Sequence, residues 1–428
     1  MKAGARFFSA APPGEHRLPA GFLRLIAAQF FSALADNALL IVTMALLQAR
    51  GAPAWWAPLL KFSFTLSYVF LAPVVGPLAD AVPKARLMAW MNGVKLLGVI
   101  GLLCGLNPML AFAAVGFGAA AYAPAKYGLV TEMVPARLLV AANGWLEVTV
   151  VCAVLLGTVL GGALVSPGLR EGAVHASLAA WAQVAGLPTA HYAGPALLML
   201  MGVYAIAAAL NFGIPDSGAR YEARSNHPQA LLLDFAQSHL TLWRDAQGGL
   251  SLAATTLFWG VGATLQFAVL RWAQDQLGLP LHQASYLQAA VAVGIVAGAA
   301  AAGRWVALGR AREMLVFGVA LGLLLPVTAQ VHSVWVAAAL LALAGAVGGL
   351  MVVPLNALLQ QRGCTLLTAG RSIAVQGFNE NASILVMLAV YAALMGAEVP
   401  IVPLLSGLGL LISAATGLLM LRARRLPG

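Results

Sequence analysis

From Gly21 to Ala49 the chain reads GFLRLIAAQFFSALADNALLIVTMALLQA, long and apolar enough to cross a bilayer, and comparable stretches recur along its whole length. Hydrocarbon offers no water to an unpaired backbone N–H or C=O, and runs of this length dictate helices. Reading spans of about 20 residues gives roughly twelve. They lie near 21–49, 55–79, 87–106, 108–130, 140–165, 194–213, 249–271, 283–303, 313–330, 333–359, 370–396 and 400–421. With 61% hydrophobic and only 9% charged residues, the chain has too few charges to coat a soluble protein of its size. The expected class is an all-α integral membrane protein of about twelve transmembrane helices.

The net charge of +10 reports topology rather than nucleic-acid binding, because Lys and Arg are unevenly placed. With both termini cytoplasmic, nineteen of them fall in inside segments, and only Arg50, Lys61, Arg170 and Arg271 fall outside or at outer span ends. An even span count agrees with that arrangement. Residues 1–20 read as a retained cytoplasmic tail, since no compact apolar core with a cleavage site precedes the first span. Cys104, Cys152 and Cys364 are too scattered for a disulfide framework or a metal cluster.

Two connections are long. Residues 166–193, on the outside, contain AVHASLAAWAQVAG, which reads as a surface helix or ordered loop. Residues 214–248, on the inside, separate a six-helix bundle at 21–213 from a second at 249–422, with 423–428 as a cytoplasmic tail. In this linker Pro228 suits a first helical position, and Leu232, Ala236, Leu240 and Trp243 share one face. That pattern predicts an interfacial helix.

The two bundles read as diverged copies. Gly118 and Pro124 recur at the same spacing as Gly348 and Pro354, Gly144-Trp-Leu-Glu147 recurs as Gly377-Phe-Asn-Glu380, and Gly76 has a looser counterpart in Gly298. Parallel six-span repeats of this kind are the architecture of the major facilitator fold. GPLADAVPKAR, after the second span, resembles that superfamily's signature of G-x-x-x-D followed by basic residues. Gly76 would permit close helix approach, and Asp80, Lys84 and Arg86 would form a breakable charge network at the cytoplasmic gate. The second-half copy, GAAAAGRWVALGRAR, lacks the acid.

QFFSALADNALL, LMAWMNGVKLLG, AAYAPAKYGLV, ANGWLE, LFWGVGATLQF, VVPLNALLQQRG and AVQGFNENA are spread over both halves. Together they resemble the bacterial lysophospholipid transporters of the major facilitator superfamily. The likeness covers the chain apart from the N-terminal tail and the 166–193 loop. It implies an inner-membrane flippase that moves lysophosphatidylethanolamine and related lysophospholipids from the outer to the inner leaflet by alternating access. An acyltransferase coupled to an acyl-acyl carrier protein synthetase would then restore the missing chain. It implies no cofactor, and the protein is assumed to be a monomer. At Gln266 the likeness leads one to expect a basic residue, and a neutral amide stands there instead.

A lysophospholipid carrier needs polar groups for the head and an apolar slot for the tail. Gln29, Asp36, Asn37, Lys95 and Lys126 in the first half, with Gln266, Asn356, Gln376 and Asn379 in the second, form the candidate substrate site; Asn92 is a further polar candidate. Asp36 would attract an ammonium, Asn37 would bond glycerol or phosphate oxygens, and Lys126 would hold the phosphate. The alternative is that Asp36 pairs with Lys95 or Lys126 as a structural bridge. Glu147 and Glu380 are gate candidates, against a structural reading in which they sit at helix starts and favour the dipole.

Two other classes compete. A proton-coupled antiporter of an amphiphilic drug or metabolite would use Asp36 as proton carrier. A lipid enzyme should show a catalytic constellation, yet the chain has no H-E-x-x-H and no nucleotide-binding Gly-Lys loop, so no enzyme is expected.

Overall fold

The computed structural model describes residues 18–52, 56–166, 172–184, 193–219, 221, 227–279 and 281–425. Most of the N-terminal tail and the last three residues, with Arg170, Arg220 and Arg224, lie outside the described residues. The helices are α1 (Ala20–Ala49), α2 (Trp56–Phe70), α3 (Ala72–Ala81), α4 (Lys84–Leu103), α5 (Pro108–Met133), α6 (Leu139–Val165), α7 (Ala173–Val184) and α8 (Gly194–Phe212). They continue as α9 (Pro228–Arg244), α10 (Ala246–Leu277), α11 (Leu281–Trp305), α12 (Leu315–Ala329), α13 (Val334–Leu366), α14 (Ala369–Gly396) and α15 (Ile401–Arg424). Among the described residues eleven helices are long and apolar enough to span a membrane, and α2 with α3 makes a twelfth.

The second span differs from the single helix expected at 55–79. It breaks at Leu71, and its two parts meet at 65°. Pro73 explains the break, because a residue without an N–H is tolerated in a first turn and not in a helix interior. Pro124 and Pro354 stay inside α5 and α13. The short α3 thereby carries Gly76 and Asp80 on a rod of their own.

Helix starts follow local chemistry. Asn107 and Asp245 cap α5 and α10 by accepting from Met109 N (2.8 Å) and Gly248 N (2.7 Å). Pro228 opens α9 as expected, but the face of α9 that packs inward is not the expected one. Leu231, Phe235, Ser238 and Leu242 turn to the bundle, while Leu232, Ala236 and Leu240 are exposed and Trp243 is half-buried. The 3.6-residue period supports either stripe, and only the tertiary partners on α10, α14 and α3 decide between them.

The first eight helices pack mainly among themselves, as do α10 to α15, and the two groups interlock at one end. This basal end is where α1 begins and α15 stops. Glycines set the spacing there. A Cβ at Gly76 would meet Arg371 Cα at 3.0 Å, and one at Gly144 would meet Ala299 O at 2.8 Å, so α3 lies on α14 and α6 on α11 at near-backbone contact. A large apolar cluster (Phe22, Leu129, Leu139, Ala302, Val352 and neighbours) seals this end across both groups. Beyond Asn379, α14 buries no residue, and the groups part toward the opposite end.

Candidate functional site

Asp36 lies midway along α1, facing Lys95 of α4. Lys95 Nζ donates to Asp36 Oδ2 at 2.7 Å and to Ser32 Oγ at 2.9 Å, and Ser32 donates in turn to Asn92 Oδ1 at 2.7 Å. Tyr204 of α8 donates to the other carboxylate oxygen at 2.7 Å. Lys95 is almost fully buried at 2% exposure, with its ammonium 5.3 Å from the Tyr122 ring centroid, whereas the Asp36 side chain keeps 16% exposure. A carboxylate and a hydroxyl satisfy this buried side chain, and removing either partner would strand its charge.

A second chain of contacts runs beside the first. Lys126 Nζ donates to Gln29 Oε1 at 3.1 Å, and Gln29 Nε2 donates to Thr149 Oγ1 at 3.0 Å. Lys126 lies 4.2 Å from the Tyr127 ring centroid and within electrostatic reach of Glu147. From the other half, Gln376 Nε2 donates to Asn356 Oδ1 (3.0 Å) and Glu380 Oε1 (2.8 Å), and Glu380 feels the charge of Glu147. Glu147 and Glu380 stand more than two turns inside α6 and α14, too deep for the helix-start explanation, since the dipole effect fades within the first turn.

Three expected residues are elsewhere. Asn37 turns its amide onto Ala33 O of its own helix (2.8 Å), beside Gly157 of α6. Asn379 is held by the linker helix: Trp243 Nε1 donates to its Oδ1 at 3.2 Å and its Nδ2 lies 3.4 Å from His239 Nδ1. Gln266 is exposed, and its backbone oxygen accepts from Gln288. Conversely, Ser32, Thr149 and Tyr204 join the site without having been singled out. Hydroxyls are common in apolar spans, and nothing in their sequence setting separates a site tyrosine from a packing one.

At the basal end Asp80 accepts from Gly370 N at 3.0 Å and from the Thr368 hydroxyl, so the start of α14 is docked on α3. Lys84 sits between Asp80 (3.7 Å) and Glu132 (2.7 Å). Arg86 is exposed on α4, outside this cluster; the arginine at the junction is Arg371, paired at 3.0 Å with Asp234 of α9. Nearby, Asn143 and Gln360 exchange two amide hydrogen bonds of 2.9 Å across the halves. The second loop, which has no acid at the position equivalent to Asp80, instead forms a short helical turn, Leu308–Met314, with its own Arg310–Glu313 pair.

Two interlocked helical groups, a buried charge centre near mid-depth and contacts that close one end define a membrane carrier. The family model of the Major Facilitator Superfamily matches residues 25–362. The chain is 41% identical to the lysophospholipid transporter LplT of Yersinia enterocolitica over 90% of both chains, and 39% identical to that of Citrobacter koseri over 95% and 96%. A bacterial homologue of the iron transporter ferroportin, solved in an outward-facing state, superposes with a TM-score of 0.71 at 14% identity over 95% and 100% of the chains; that shares the fold alone. The chain belongs to the Major Facilitator Superfamily and, within it, to the family of lysophospholipid transporters. It is a multi-pass membrane transporter and not an enzyme.

Proposed function

We propose that the protein carries lysophospholipids, lysophosphatidylethanolamine among them, from the outer to the inner leaflet of the bacterial inner membrane, with both termini cytoplasmic, for reacylation there. The observation that carries this reading is the Asp36–Lys95 pair, part-open to solvent at Asp36 and buried at Lys95. A zwitterionic head has one cation and one anion, so it can exchange with this pair: its ammonium replaces Lys95 at Asp36 while its phosphate meets the released Lys95. The number of buried charges of each sign stays balanced, which avoids the cost of stranding a single ion. Tyr204 touches the exchanged pair, and Lys126 with Gln29, within electrostatic reach of it, offers further donors to phosphate and glycerol oxygens.

The basal contacts serve as the cytoplasmic gate. Asp80, Lys84 and Gly76 hold α3 against α14, and Glu147 and Glu380 lie above that seal, where the halves must slide apart. The names of the relatives support the substrate class, and the basal closure supports an outward-open resting form.

The test is inward movement of labelled lysophosphatidylethanolamine in proteoliposomes, for the wild type and Asp36→Asn, with and without a proton gradient. Gradient-independent movement lost in Asp36→Asn is the expected result. No movement under any condition sinks the reading. Movement that requires the gradient, with exchange surviving in Asp36→Asn, replaces it with a proton-coupled antiporter.

A further inference from the structure

Within the second half, α10, α11, α12, α13 and α15 enclose a cavity walled by Phe258, Val261, Val291, Leu325 and Met351 together with other apolar side chains. Polar side chains touch it at three places. Gln266 and Gln288 are joined by a 2.5 Å bond from Gln288 Nε2 to Gln266 O, and since Gln266 is exposed they mark the mouth. Thr416 is fully buried, and its hydroxyl is spent on Ile412 O at 2.6 Å, so it marks the floor and offers no free donor. A void with so few free polar partners does not hold ordered water, and apolar matter is what fills it favourably.

Its position is informative. The spacing shared by Gly118/Pro124 and Gly348/Pro354 pairs α5 with α13, so α1 and α4, which carry Asp36 and Lys95, correspond to α10 and α12. Both of these line the cavity. The cavity is therefore the repeat counterpart of the ion pair: one half holds two charges where the other holds a dry pocket with an amide at its lip.

We propose that this cavity seats the acyl chain of the substrate, while the head sits at Asp36 and Lys95 across the midline. The inference rests on the lysophospholipid reading and adds where the chain goes, namely into the protein interior. It also accounts for selection of one chain over two. α11 is held on α13 at backbone contact, with Gly294, Gly298 and Gly345 at the crossing leaving no room for a Cβ, so the cavity width is fixed.

Gly262 provides the test, because it lines the cavity at its exposed mouth, one turn from Gln266, and a Cβ there meets nothing within 4 Å. Gly262→Leu and Gly262→Phe fill the space without a backbone clash, and Gly262→Ala is the folding control. Movement of palmitoyl lysophosphatidylethanolamine should fall by about tenfold in Gly262→Leu, equivalent to losing the burial of some two methylene groups, while the hexanoyl form changes little. Equal losses for both chains, or none for either, overturn the proposal. A palmitoyl analogue with a terminal diazirine should label α11, α12 or α13; labelling of α2 or α14 would place the chain toward lipid and overturn it as well. If the wild type moves neither lipid, the transport reading fails, and the labelled position still decides what the cavity holds.

Discussion

The half built from α1 to α8 buries a lysine at mid-depth and closes its distal interior into one extensive apolar cluster from Ala35 to Tyr204, whereas the half built from α10 to α15 divides its apolar interior into smaller clusters around an empty space. The two share the Gly-Pro spacing of α5 and α13. A repeated fold preserves helix crossings because glycine contacts tolerate no Cβ. Side chains pointing into each bundle are free to diverge, and an amphiphilic cargo makes opposite interiors useful.

The comparison breaks most sharply if the charges of the first half are dispensable. Lys95→Met leaves the Asp36 carboxylate with Tyr204 as its remaining partner and should cost about 3–5 kcal/mol, read as thermal unfolding in detergent. The double variant Asp36→Leu with Lys95→Met should recover most of that stability and no transport. A stable single variant would mean that the pair does not hold the first half together.

In the second half stability should depend on backbone contact. A Cβ at Gly298 would run into Ala346 of α13, so Gly298→Val should lose roughly 1–3 kcal/mol, while Gly262→Leu, in open space, should unfold close to the wild type. Equal losses in the two variants would show that the cavity is closed in solution.

Between the halves the effect should be smaller and conformational. Asp80→Ala removes the acceptor of Gly370 N and of the Thr368 hydroxyl, worth about 1.5–3 kcal/mol for hydrogen bonds to a charged group. The basal end should open more often, and a cysteine placed at the buried Ala374, beside Gly76, should react several-fold faster with a maleimide. Unchanged reactivity would confine Asp80 to a local role at the end of α3, beside Lys84.

Span positions, the linker helix and the surface helix at 173–184 were legible because apolar length and a Pro at a first helical position are local signals. So was the importance of Asp36, since a charge at bilayer depth must find a partner. Its choice of Lys95 over Lys126 was not legible: both lie on neighbouring helices, and their rotation about the helix axes decides which one faces α1. The inward stripe of α9, the 65° break after Phe70 and the withdrawal of Asn379 toward Trp243 depend likewise on partners distant in sequence. The cavity carries no sequence signal at all, because an apolar residue facing a void reads like one facing a neighbour.

The smallest predicted effect concerns α9, which docks beside the second half's α14. His239 packs against the rings of Phe235, Trp243 and Phe378, with Nδ1 positioned to accept from Asn379 Nδ2 at 3.4 Å. Burial pushes its pKa below the ordinary histidine value, so the folded state favours the neutral ring and binds fewer protons than the unfolded chain. The contribution to docking is therefore complete above the unfolded value and is lost as pH falls from about 6.5 through the depressed folded value. Protonation also turns Nδ1 from acceptor into donor, facing an amide that already donates, while the Asp234–Arg371 pair at 3.0 Å keeps the helix partly attached. Fluorescence of Trp243, isolated by replacing the other tryptophans, should shift between about pH 7 and pH 5 and become flat in His239→Gln. A matching shift from Trp145, on α6 of the first half, would assign the response to the whole molecule and remove the distinction between the halves on this point.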